Sequence, residues 1–136
     1  MSTTLYAVSL DASDAGELAT FWSGVLDRPV DDGASAEFAA IGLADAGGHP
    51  TQWMFHQVPE GKTAKNRFHP DLVTSDLEGE VKRLVDLGAT QQAEIEESGY
   101  HWVTLTDPQG NEFDVIAVQP SPTAQAQPAG PSGRPA

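Results

Sequence analysis

The sequence predicts an α+β fold made of two similar halves. Three observations carry that expectation: the order strand, helix, three strands occurs twice, each helical segment has one apolar face, and a polar loop separates the two occurrences. With 136 residues, 39% of them hydrophobic, the chain has the size of one globular domain with a real core and no room for a second.

The first half opens on Leu5 to Asp11, a short run with β-branched and aromatic residues that reads as a strand. Ser13 or Asp14 caps a helix, with Glu17 three positions after Asp14. Leu18, Phe21, Trp22, Val25 and Leu26 recur at helical spacing, and Pro29 ends the helix by its missing N–H. Strands follow at Glu37 to Gly42 and Thr51 to His56, parted by the turn-forming residues Ala46 to Pro50, and Pro29-Val30 supplies a short extra strand before them.

After the loop Pro59 to Asn66 the pattern restarts. Arg67 to Val73 reads as a strand, and Ser75 with Glu78 forms a capping-box signature. The next helix carries Leu77, Val81, Leu84 and Val85 on one face and stops at Gly88. Strands at about Thr90 to Ile95, Tyr100 to Thr106 and Glu112 to Val118 complete the unit, the last two joined by Asp107-Pro108-Gln109-Gly110-Asn111. Placing Asp14 on Asp76 brings Leu10 onto Leu72, so strand and helix stay in step although few residues are identical. A curved sheet with one helix leaves its other face unburied, and two such sheets can close around a shared space. A cavity for a small molecule is therefore expected.

Residues 119–136 are rich in Pro, Ala, Ser and Gly without any large apolar side chain, which predicts a disordered tail behind a domain spanning 1–118, with modules at about 5–58 and 67–118. Twenty acidic against 7 basic side chains give a net charge of −13, which repels phosphate backbones and anionic headgroups. Neither nucleic acid nor membrane is expected as a partner. Cysteine is absent, so disulfides, thiolate catalysis and Cys-bound metals are excluded, and a metal would need His, Asp, Glu or Gln. The first residues lack a basic start and an apolar run, and a cytoplasmic protein is expected.

The stretches VPEGKTAKNRFHPDL and GYHWVTLTDPQGNEFDV resemble the glyoxalase-like branch of the vicinal oxygen chelate superfamily, which also includes bleomycin-resistance proteins and extradiol dioxygenases. The resemblance runs from Leu5 to about Val118, strongest over Asp107 to Phe113. It implies paired βαβββ modules forming a half-open barrel around a small-molecule cavity, and a homodimer. It also implies, for the metal enzymes of the family, a divalent ion held by side chains from the first and last strands of each module. Such a site keeps positions open for two neighbouring substrate oxygens.

Carried onto this chain, the resemblance puts His69, seven residues before Asp76, where the metal enzymes have a ligand His, and Asp114 where they have Glu. The matching residue of the first module, seven before Asp14, is Ala7, which cannot coordinate. In that module's last strand Gln52, Met54 and His56 share one face and Trp53, Phe55 and Gln57 the other. Gln52 or His56 could contribute to a metal; Met54 could not serve a hard ion. On the final strand Phe113, Val115 and Ala117 suit the helix side, turning Glu112, Asp114 and Ile116 away from it, while His69, Asp71 and Val73 share a face.

The residues leave alternatives open. His69 is either a metal ligand or a His hydrogen-bonded to Asp71 or Asp114, and Asp114 either a ligand or the partner of Arg67 or Lys65. Glu112 either lines the cavity or is a solvated strand end. Trp53 and Trp102 each fill the helix side or wall a ligand ring. His49 and His101 carry no assigned role, Lys62, Lys65 and Arg67 either meet a ligand anion or serve solubility, and Pro70 demands an unpaired edge or a bulge. The metal candidates are therefore His69, Asp114, His56 and Gln52, and the ligand-binding candidates Trp53, Asp71, Glu112 and Trp102. Two functions fit: a small-molecule binder of the resistance or sequestration kind without a complete metal site, or a lyase, isomerase or dioxygenase using His69 and Asp114 with one Zn, Ni, Mn or Fe ion.

Overall fold

The computed structural model describes residues 2–44 and 51–118. The turn expected at Ala46 to Pro50, His49 and the expected tail 119–136 lie outside the described residues. The chain divides into two compact units with the boundary between Thr63 and Ala64.

In the first unit, β1 (Ala7–Ala12) leads into α1 (Ala15–Leu26), then β2 (Phe38–Ile41) and β3 (Gln52–Gln57). The sheet order is β1-β3-β2, with β1 parallel and β2 antiparallel to β3. Beyond β2 the expected extra strand is a single bridge from Val30 to Ile41. Asp14 caps α1, its carboxylate accepting from the Glu17 backbone N–H at 3.0 Å. The helix ends earlier than Pro29: Asp27 adopts the left-handed conformation at φ 55° and its N–H returns to the Ser23 carbonyl, closing the helix as a glycine would. Leu18, Phe21, Trp22 and Val25 are buried, and the Trp22 ring stacks on Trp53 with centroids 5.1 Å apart. That stack fixes which face of β3 the helix covers.

The second unit holds β4 (Asp71–Thr74), α2 (Leu77–Leu87), β5 (Thr90–Glu97), β6 (Tyr100–Thr106) and β7 (Glu112–Ala117). Its order, β4-β7-β6-β5, repeats the first unit's, with the first strand parallel to the last. Neither sheet closes into a barrel. Three expectations need correction. The strand expected from Arg67 begins only at Asp71, because Pro70 has no N–H and the preceding segment is instead held by Asn66, whose backbone donates to Glu112 Oε1 at 2.9 Å and whose amide donates to Asn111 Oδ1 at 3.2 Å. The cap of α2 is Asp76, accepting from the Gly79 N–H at 3.1 Å, and not Ser75 with Glu78. Val85, expected on the apolar face, is exposed, and Leu84 carries the burial.

Phe113, Val115, Val103 and Leu105 share one face of this sheet and are fully buried or nearly so. The β6–β7 turn is set by Asp107, itself buried, whose carboxylate accepts from the N–H groups of Gln109 and Asn111 and from the Asn111 amide. Gly110 takes φ 88°, the left-handed value that the turn requires. Among the described residues no helix is long and apolar enough to cross a membrane.

Candidate metal and ligand site on the second module

Because β4 runs parallel to β7 with Asp71 opposite Asp114, both carboxylates project from the face that Phe113 and Val115 leave free. Thr104 lies opposite Asp114 on β6, and its hydroxyl donates to Asp114 Oδ1 at 2.6 Å. Asp114 is almost fully buried, so this short bond holds one carboxylate oxygen and orients the other. Its N–H donates to the Pro70 carbonyl at 3.0 Å. Proline thus joins the ladder as an acceptor, on the outer strand of the sheet where its missing donor costs no pairing.

His69 precedes Asp71 by two residues. Its Nδ1 lies 3.5 Å from Asp71 Oδ1 and 3.8 Å from Asp114 Oδ2, and it is buried without a hydrogen bond among the described residues. One ligand atom from each of His69, Asp71 and Asp114 lies within 4.8 Å of the others, and this group could hold a metal ion. The side chains of His69 and Asp114 are 14% and 5% exposed and that of Asp71 38%, so two donors sit deep and the third stands at the mouth. Trp102 shares the face of Thr104 and Asp114, opposite Ile116; its ring is buried and its Nε1 makes no hydrogen bond among the described residues. Glu112, at the start of β7 and half-buried, accepts from the Asn66 backbone N–H through Oε1 at 2.9 Å.

Among the described residues the first module has no such group. Both helices are capped by an Asp that accepts from the N–H three residues on, which fixes Asp14 against Asp76 and therefore Ala7 against His69 and Ser9 against Asp71. Ser9 pairs with Met54, and Met54 in turn with Ala40. Met54 therefore occupies the place of Asp114, and Ala40 that of Thr104. Gln52 and His56 flank Met54 on the same face, opposite Ala7 and Asp11. His56 Nε2 lies 3.3 Å from Ser9 Oγ, with its ring 5.3 Å from Phe38. Trp53, expected as a possible ligand wall, belongs to the helix side and stacks under Trp22 as core. His101, given no role from sequence, pairs Nε2 with Glu94 Oε2 at 2.7 Å and lies 3.6 Å from Glu96. Thr104 escaped the sequence reading, yet counting back from the Asp107 turn sets it opposite Asp114.

The family model for the glyoxalase-like domain matches residues 7–116. The chain belongs to the glyoxalase-like domain family. No curated protein matches it in sequence. Among solved structures it is similar to a glyoxalase/bleomycin resistance protein/dioxygenase family enzyme from Burkholderia phytofirmans, at 17% identity and TM-score 0.69 over 86% of this chain and 100% of the other. The fosfomycin resistance protein FosX from Listeria monocytogenes matches at 12% identity and TM-score 0.67, over 88% of this chain and 97% of its own. A FosX variant from the same organism, solved as a complex with Mn(II) and 1S,2S-dihydroxypropylphosphonic acid, matches equally well at 12% and 0.67 over 88% and 94%. At such identities the likeness is one of fold, and it agrees with the βαβββ order found in the second unit.

Proposed function

We propose that this glyoxalase-like protein binds a small organic molecule at the sheet face of its second module that carries Asp71, Thr104 and Asp114, and lacks the metal centre that the family's enzymes share between two modules. One observation carries the reading: where the second module has His69, Asp71, Asp114 and Thr104, the first has Ala7, Ser9, Met54 and Ala40. A methyl group and a thioether offer nothing to a hard divalent ion.

What remains on the second module suits recognition. Trp102 offers an unused indole N–H, and Asp71 and Asp114 offer acceptors, beside Val73 and Ile116 as apolar neighbours. A ligand with a hydroxyl or amine donor and an apolar body fits that set. The large exposed side chains Leu5, Tyr6 and Phe68 support assembly as a homodimer.

Protein purified without an affinity tag and then denatured is expected to release an organic compound in stoichiometric amount, read by mass spectrometry. With the released compound in hand, Trp102→Phe should weaken rebinding about tenfold by removing one hydrogen bond of about 1.4 kcal/mol. Binding that is instead abolished by Gln52→Ala or His56→Ala, and untouched by Trp102→Phe, would refute this assignment. The second reading, a metal-dependent lyase, isomerase or dioxygenase, is favoured by the three clustered donors of the second module; turnover that requires both added metal and His69 would establish it.

A further inference from the structure

We infer that Asp32 is a site of covalent self-modification, the isomerisation of an aspartyl to an isoaspartyl linkage, and that this change loosens the end of β2. Asp32 is the only aspartate of the sequence that is followed by glycine. Isomerisation requires the backbone nitrogen of the next residue to reach the side-chain carboxyl carbon, with both groups free to meet. Glycine leaves that nitrogen unshielded. Asp32 and Gly33 lie in an exposed turn, and among the described residues neither the Asp32 carboxylate nor the Gly33 N–H makes a hydrogen bond. Gly33 takes φ 93°, and a side chain built there would meet nothing within 4 Å. Every other described aspartate lies within a strand or helix, stands at a helix end, or, as Asp31 and Asp107 do, accepts backbone N–H groups.

The Gly33 nitrogen bonds to Cγ of the protonated Asp32 carboxyl. The carboxyl hydroxyl leaves with the Gly33 proton as water, closing a five-membered imide. Water then adds back at one of the two imide carbonyls. Cleavage at Cγ restores aspartate, and cleavage at the main-chain carbonyl leaves the chain running through Cβ and Cγ with the α-carboxylate free. The water lost is returned, so the step needs no co-reactant, and mass and charge are unchanged. What changes is the backbone, which gains one methylene between two anchors. On one side the Asp31 N–H donates to the Ala40 carbonyl at 2.8 Å, and the Asp31 carboxylate accepts from the N–H groups of Gly42, Leu43 and Ala44 at 3.2, 2.8 and 3.0 Å. On the other the Ser35 N–H donates to the Phe38 carbonyl at 2.8 Å. A longer link between these anchors shifts Asp31 against β2 and lengthens the bonds it makes there. The freed α-carboxylate is the group that an isoaspartate-specific carboxyl methyltransferase recognises, which makes such an enzyme the partner this site fits. The inference is independent of the proposed function, since none of its residues belongs to the candidate site.

The test is to hold the full chain in neutral buffer over weeks and then digest it with a protease that cuts before aspartate but not before isoaspartate. The Asp31–Asp32 bond should become progressively resistant, and electron-transfer fragmentation of the resistant peptide should place the isomer at Asp32. Aged protein should accept a methyl group from an isoaspartate-specific carboxyl methyltransferase, and fresh protein should not. Asp32→Glu must close a six-membered ring and should lower the methylation of aged protein about tenfold or more, while Asp32→Ala should abolish it. Circular dichroism verifies that both variants are folded, as expected for a side chain that makes no contacts of its own. In the isomerised fraction, hydrogen exchange at the Leu43 and Ala44 amides should quicken. No isomer at Asp32, as much of it in Asp32→Glu as in wild type, faster isomerisation at another aspartate, or unchanged exchange at Leu43 and Ala44 would overturn the inference.

Discussion

Trp22→Ala is expected to destabilise the first module by about 3–5 kcal/mol, a large fraction of the about 5–15 kcal/mol that stabilises a domain of this size. Trp22 is fully buried, stacks on Trp53 with the planes 24° apart, and meets the Phe21 ring edge-on at 5.5 Å. Truncation removes the transfer free energy of the indole, leaves a cavity under α1, and deletes a ring pair that contributes about 1 kcal/mol beyond its buried area. α1 is the only helix of the described residues that packs on this sheet, so no second element can close the gap. Trp22→Phe keeps most of the volume and should cost less than half as much. Urea denaturation followed by circular dichroism measures both, and an alanine variant within 1 kcal/mol of wild type would show that the stack is not the core of this module.

Asp107→Ala is expected to cost about 2–4 kcal/mol and to disturb the candidate site although Asp107 touches none of its donors. The buried carboxylate is the acceptor for two backbone N–H groups and one side-chain amide, and removing it strands all three donors. The turn also sets the β6–β7 register, which places Thr106 opposite Glu112 and Thr104 opposite Asp114. A slip of one residue would send Asp114 to the helix side and Phe113 and Val115 to the open face. Asp107→Asn retains an acceptor oxygen and should recover most of the stability. Thermal unfolding measures the three proteins, and equal midpoints for Ala and wild type would show that the turn holds its register without this carboxylate.

The family signature at Asp107 to Phe113 is therefore read twice over: as sequence it marks the family, and as structure it is turn chemistry that aims the residues after it. The alternation of β7 was legible in the same way, since Phe113 and Val115 are apolar and Asp114 is not, and the structure places them on opposite faces. The place of Met54 was not. Deciding among Gln52, Met54 and His56 requires the partner of each across the sheet, and a strand paired in parallel with one far earlier in the chain carries no local mark of its register. Helix caps were legible to within one residue, because Ser75 and Asp76 are both competent caps and only the backbone geometry selects between them. The early end of α1 depends on a non-glycine residue entering the left-handed region, which the sequence around Asp27 does not announce.

An asymmetric pair of modules, with polar chemistry confined to the second, is the central claim. Rebinding of the released organic compound to Asp114→Asn and Gln52→Ala variants of the full chain, read by isothermal titration calorimetry, tests it most directly. The expected result is binding weakened by about tenfold or more in Asp114→Asn and unchanged in Gln52→Ala. Binding lost in Gln52→Ala and unaffected in Asp114→Asn would contradict it.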